Sequence, residues 1–216
     1  APTSADTATP LSVFVRASMT AFPGIANEWQ QIIVFVSIAS MVLGGFAGIG
    51  QTNIKRLMAY SSIGNMGYAL IGLASGSPDG VQSVLIYVSI YVAMTLGTFA
   101  CIIAMRRADG PVETIADLAG LARTKPAMAF FLAMLLFSLA GVPPLAGFFG
   151  KFYVFLAAIN AGLYTLAVIG VLSSVVGAFY YLSIVKVMYF DQPAPAFQRT
   201  PALVGLMMLV FGTLNI

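Results

Sequence analysis

The chain has 216 residues, 60% of them hydrophobic and only 8% charged, with a formal net charge of +3. A soluble domain carries about 25% charged residues, so this chain has too few to cover a water-facing surface, and lipid is its expected solvent. With no histidine and a single cysteine, imidazole catalysis, histidine-ligated metals, internal disulfides and cysteine-ligated clusters are excluded. The basic residues sit between apolar runs and so indicate topology rather than nucleic acid as a partner.

Residues 1–28 contain an apolar run at 11–22, expected to be the tail of a preceding span, followed by a connector. The sequence starts at Ala1 without Met and stops inside an apolar run, so a fragment of a longer membrane protein is expected. A hydrocarbon core of roughly 30 Å takes about 20 helical residues. The stretches 29–51, 57–75, 81–105, 127–162 and 164–190 meet or approach that length, and 202–216 begins another. None alternates with period two, so an all-α integral membrane protein, a transmembrane helix bundle, is predicted rather than a β-barrel. Its organisation is 1–28, a five-span unit over 29–190, and a loop with the start of a further span over 191–216.

Within the first span, Gly44, Gly45, Gly48 and Gly50 follow no strand and do not have dinucleotide-loop spacing. Gly44 with Gly48, and Gly72 with Gly76, instead have the small-xxx-small spacing of close helix packing. Lys55 and Arg56 are expected to anchor the second span. Near its start, Ser61, Ser62, Asn65 and Tyr68 form a polar set suited to interhelical hydrogen bonds or a water chain. Cys101 reads as a small packing residue. The polar connection 107–126 pairs Thr114 with Asp117 as in a capping box and sets Ile115, Leu118 and Leu121 on one face, which predicts a short amphipathic surface helix.

At about 36 residues, 127–162 would be roughly 54 Å long as one straight helix. It is either two spans or one long broken span. Two spans would move Lys186 and Arg199 away from the other basic loops, so one discontinuous helix is preferred. Pro143 and Pro144 provide its break: lacking N–H groups, they leave the carbonyls of Leu139 and Ala140 without helical donors. Lys55, Arg56, Arg106, Arg107, Arg123, Lys125, Lys186 and Arg199 then share one side, opposite Glu28 and Asp79, and the positive-inside rule makes that side cytoplasmic, or the equivalent matrix or stromal side. Arg16 falls near the start. Lys151 remains inside the membrane, just beyond the Pro-Pro break. An intramembrane ionisable residue is a functional candidate by default, and lysine, unlike arginine, can exchange its proton, so Lys151 is the candidate proton carrier.

The run QTNIKRLMAYSSIGNMGYALIGLASG (51–76) resembles the second-repeat signature of the antiporter-like membrane subunits of respiratory complex I, NADH:quinone oxidoreductase. FSLAGVPPLAGFFGKFYVF (137–155) is similar to the subunit N branch, with lysine at position 151 where the subunit M branch usually has glutamate. LIYVSIYVAMTLGTFA, DLAGLART and SSVVGAFYYLSIVKVMYFD fit the same branch, and the resemblance extends over about 11–192.

The resemblance implies the second of two inverted five-helix repeats, with a discontinuous helix supported by Gly141, Pro143, Pro144 and Gly147. Lys151 would be the terminal lysine, exchanging protons with the periplasmic side of a bacterial inner membrane. It also implies no cofactor or metal in this chain. NADH, FMN, iron–sulfur clusters and quinone would belong to partner subunits, and the chain's own partners would be other complex I membrane subunits and the bilayer. The segment APTSADTATPLSVFVRA lacks the central lysine of the family's preceding helix, and Ser183 stands where relatives often have arginine. A subunit of a multisubunit cation/proton antiporter and a non-conducting structural subunit are the alternative readings.

Overall fold

The computed structural model describes residues 26–107, 110–195, 197–198 and 201–215. The run at 11–22, with Arg16, and Arg199 lie outside them, as do the side chain of Glu28 and the lysine-lacking segment at the start. The described helices are α1 (Ala26–Ile49), α2 (Ile54–Ala74), α3 (Pro78–Ile103), the single turn α4 (Leu121–Thr124), α5 (Pro126–Ala140), α6 (Ala146–Asn160), α7 (Tyr164–Phe190) and α8 (Ala202–Thr213). Between α3 and α4 lie a two-residue antiparallel hairpin, β1 (Arg106–Arg107) with β2 (Gly110–Pro111), and a 3₁₀ turn (Ile115–Leu118). α1, α3 and α7 are long and apolar enough to cross a membrane, and α5, α6 and α8 are shorter apolar helices. The protein is an α-helical integral membrane protein.

Local chemistry sets the helix starts. The Asn53 side chain accepts from the backbone N–H groups of Lys55 and Arg56, so α2 begins at Ile54, ahead of the apolar run expected from Leu57. Ser77 caps α3 through the N–H of Gly80, with Pro78 at the first helical position, where its missing N–H costs nothing.

α2 packs on α1, α3, α6 and α7, while α5 packs on α3, α6, α7 and α8. The most buried side chains concentrate there, among them Leu57, Met58 and Ile71 of α2 and Leu132, Leu135 and Leu136 of α5. α1 approaches α2 backbone to backbone, since a methyl group on Gly44 would collide with the main chain of Gly64. Of the other glycines in the two predicted stripes, Gly48 faces the Tyr180 ring and Gly72 faces Ser83 and Val84. Gly76 instead takes a left-handed turn (φ 62°) with open space around it, because it lies beyond the end of α2. Cys101 is buried in α3. Phe35 and Phe46 of α1 and Val168, Leu172, Val175 and Phe179 of α7 are exposed, as suits a lipid-facing surface.

One end of the bundle gathers the basic side chains around a knot of loops. Ile54 N–H donates to the Glu113 carbonyl (2.8 Å), Ile115 N–H to Thr52 (2.9 Å), Gly120 N–H to Val187 (3.1 Å) and Gln198 N–H to Arg106 (2.8 Å). Lys55 pairs with Glu113 at 2.6 Å and Arg107 with Asp117 at 2.7 Å. Hydrogen bonds from Lys55 and Asn53 hold the Glu113 carboxyl below its ordinary pKa, and those from Thr114 and Arg107 do the same for Asp117.

The amphipathic helix predicted across 107–126 is not formed. The Gly120 N–H, which a continuing helix would turn back to Ala116, is engaged by Val187 of α7, and Gly120 takes a left-handed φ of 62°, so only the 3₁₀ turn and α4 remain, although Leu118 and Leu121 are buried. Nor is the predicted capping box made, because the Thr114 hydroxyl bonds the Asp117 carboxylate instead of a backbone N–H.

Candidate functional site

α5 ends at Ala140, Gly141 follows in the left-handed region (φ 87°), and α6 resumes at Ala146. The peptide bond between Pro143 and Pro144 is cis. Helical side chains lean toward their own N-terminus, so Lys151 of α6 reaches back to the end of α5. Its Nζ donates to the carbonyls of Leu139 (2.9 Å) and Ala140 (3.1 Å) and to Ser174 Oγ of α7 (2.9 Å). The three ammonium protons thus meet three acceptors. The two carbonyls are those the proline pair deprives of N–H donors, and they form the negative end of the α5 dipole. The ammonium also lies 4.9 Å from the centroid of the Tyr68 ring, within cation–π range. Lys151 is 7% exposed, and among the described residues no carboxylate pairs with it.

The expected support residues fall in two places. Gly141 and Gly147 are at the site: a methyl on Gly141 would come within 3.1 Å of Lys151 Cδ, and one on Gly147 would run into the Ser138 carbonyl. Pro143 and Pro144 lie in the exposed part of the break. Gly147 N–H donates to Ser138 Oγ (3.0 Å), and the Ser138 hydroxyl in turn reaches Asn215 Oδ1 (3.4 Å). The Asn215 carbonyl accepts from Ala146 N–H (3.3 Å), so the segment after α8 satisfies the first donor of α6.

Three of the four residues in the predicted polar set converge on Lys151. Ser61, Asn65 and Tyr68 share a cavity of ≈ 10 Å³ with Leu139, Lys151 and Tyr181, enough for about one water. Asn65 Nδ2 donates to the Ser61 carbonyl (2.8 Å) and hydroxyl (3.1 Å), Tyr87 donates to Asn65 Oδ1 (2.7 Å), and Ser61 is hydrogen-bonded to Tyr181. Ser62, one helical step on, points elsewhere, bonding Met58 (2.9 Å) and Tyr91 (2.9 Å). Sequence reasoning missed Ser138, Ser174, Tyr181 and Asn215. Their signal was faint: each is a small polar or phenolic group inside an apolar run.

At the opposite end from the basic loops, Asp79, Gln82 and Ser83 of α3 face Tyr153 and Asn160 of α6 across a polar cleft of ≈ 230 Å³. The structure therefore combines a buried ammonium held by neutral acceptors, a short hydroxyl and amide network on one side of it, and a polar cleft at one end of the same helix.

The family model described as NADH:quinone oxidoreductase/Mrp antiporter, TM, matches residues 4–177. NADH-quinone oxidoreductase subunit N of Parvibaculum lavamentivorans is 67% identical over 187 residues, 87% of this chain and 39% of that protein. NADH-quinone oxidoreductase subunit N 1 of Rhizobium meliloti is 63% identical over 203 residues, 94% and 42% of the two. The chain thus spans about two fifths of the length of the curated relatives it matches. Among solved structures, a chain of respiratory complex I from Thermus thermophilus superposes with a TM-score of 0.79 at 27% identity, over 95% of this chain and 44% of that one. A chain of the Mrp complex from Dietzia sp. gives 0.72 at 28% identity, over 80% and 32%.

Proposed function

The chain belongs to the NADH:quinone oxidoreductase/Mrp antiporter membrane family, and from that premise we propose that it is part of a proton-translocating membrane subunit of an NADH:quinone oxidoreductase, with Lys151 as the group that takes up and gives back the proton. The observation that carries this reading is the set of neutral partners around Lys151 Nζ. A carboxylate there would lock the ammonium in place, since breaking a buried ion pair costs about 3–5 kcal/mol. Carbonyls and a hydroxyl leave the charge removable. After the proton departs, the Ser174 hydroxyl can turn and donate to the neutral amine, so both states keep a partner.

NADH, FMN, the iron–sulfur clusters and quinone belong, in this reading, to partner subunits, and coupling reaches Lys151 through charge and conformational changes in the membrane arm. The basic end faces the cytoplasm of a bacterial inner membrane. Ser61, Asn65 and Tyr181 lie on the approach to Lys151 from that end, and the Asp79–Asn160 cleft opens toward the other.

NADH-driven acidification of inside-out vesicles carrying Lys151→Ala in the full-length subunit tests the proposal. Pumping should fall strongly with the complex assembled, and undiminished pumping would remove Lys151 from the role. The likeness to the Mrp complex favours a second reading, a subunit of a cation/proton antiporter. Cation-dependent proton exchange in membranes without NADH dehydrogenase subunits would select it.

A further inference from the structure

α5 and α8 are in contact at one end and splay apart at the other. Deep in the bundle, Phe131 closes against Gly212 and Ser138 meets Asn215. Toward the basic end, none of the described residues lies within 4 Å of where a Cβ on Gly205 would stand. The result is a wedge of ≈ 580 Å³ between the first two turns of the two helices, lined by Lys125, Ala127, Met128, Phe131, Met208 and Leu209. Its wide end opens beside Lys125, where the chain enters α5 and the Lys125 ammonium donates to the Gln198 carbonyl. Arg123, in α4, is exposed close by.

We propose that this wedge is a binding site for one membrane phospholipid with an anionic headgroup, its acyl chain lying between α5 and α8 and its phosphate against Lys125. The chemistry of the lining selects that occupant. Among the described residues, no polar side chain other than Lys125 lines the wedge, so a peptide entering it would bury backbone groups without partners, whereas an acyl chain has none to satisfy. The cation stands at the mouth, at the end of the bundle that carries the basic loops, and basic pockets between transmembrane helices on that side hold acidic lipid headgroups. The site is independent of any proton movement through Lys151.

The test uses the full-length subunit in its assembled complex, reconstituted with phosphatidylglycerol bearing a diazirine in its acyl chain, or with phosphatidylcholine bearing the same chain. Labelled peptides are identified by mass spectrometry. Phosphatidylglycerol should label 126–131 and 205–209 several-fold more than phosphatidylcholine, while the outer face of α7 around Leu172 is labelled equally by both. Gly205→Leu, which fills the wedge, should abolish labelling of those peptides in an assembled complex, and Lys125→Gln should remove the headgroup preference while labelling persists. Equal labelling by the two lipids in the unmodified protein, no labelling, or cross-linking of the wedge to another protein segment would each overturn the proposal.

Discussion

The ammonium nitrogen of Lys151 lies 2.9 Å from the carbonyl oxygen of Leu139, the acceptor that Pro143 deprives of its helical donor. Replacing both prolines, Pro143→Ala with Pro144→Ala, supplies N–H groups able to bond Leu139 and Ala140 within a continued helix. A hydrogen bond to a charged group is worth roughly 1.5–3 kcal/mol, so losing two should loosen the ammonium and reposition it. NADH-driven pumping should fall several-fold with Lys151 still present, and pumping at the normal rate would show that the freed carbonyls do not matter.

Asn65 joins two hydroxyl groups to the Lys151 cavity, and its removal should act through what it leaves behind. Asn65→Ala strands the Tyr87 hydroxyl, a buried donor whose loss of partner costs about 1–3 kcal/mol. The thermal stability of the purified complex should drop, and Tyr87→Phe in the same background should recover part of the loss because no stranded group remains. Strict additivity of the two changes would contradict the bond as the source of the effect.

Gly147 tests the close approach of the two half-helices. A methyl there meets the Ser138 carbonyl, which is backbone and has little room to move, whereas a methyl on Gly50 would have none of the described residues within 4 Å. Overpacking of this kind costs typically 1–3 kcal/mol. Gly147→Ala should therefore reduce the yield of assembled complex, and Gly50→Ala should leave it unchanged on a native gel.

The loop knot at the basic end should weaken in acid. Lys55 and Asn53 depress the Glu113 pKa in the folded state, so the interaction is present above the ordinary carboxylate pKa and is lost as the pH falls through the lowered one. Hydrogen exchange at Ile54 and Ile115, corrected for the intrinsic pH dependence, should accelerate below about pH 4. Glu113→Gln should shrink that acid-dependent step to the part carried by Asp117, and protection that stays flat on acidification in the unmodified protein would rule it out.

Much of this architecture is local chemistry and hence visible in the sequence. Proline lacks an N–H wherever it stands, so Pro143 and Pro144 mark a break and name the carbonyls it frees. A lysine in an apolar run likewise stands out against so few charges. What the sequence did not disclose is which distant groups fold onto that break. Ser174 and Asn215 arrive from α7 and from beyond α8, and nothing in their own neighbourhoods distinguishes them from packing residues. The connector misled for a related reason: its apolar spacing suits a helix, but backbone pairing with Val187, far away in sequence, takes the N–H of Gly120.

Among the described residues no carboxylate stands beside Lys151, and this gives the site the character of an electrometer. An ion pair answers mainly to its own partner, whereas a charge held by neutral dipoles registers the field of its wider surroundings. At an effective dielectric constant of about 20, a unit charge brought to about 10 Å changes the energy of an ammonium by roughly 1.7 kcal/mol. That is more than tenfold in proton affinity, obtained without contact, so a charge displaced one helix away would be felt at Lys151.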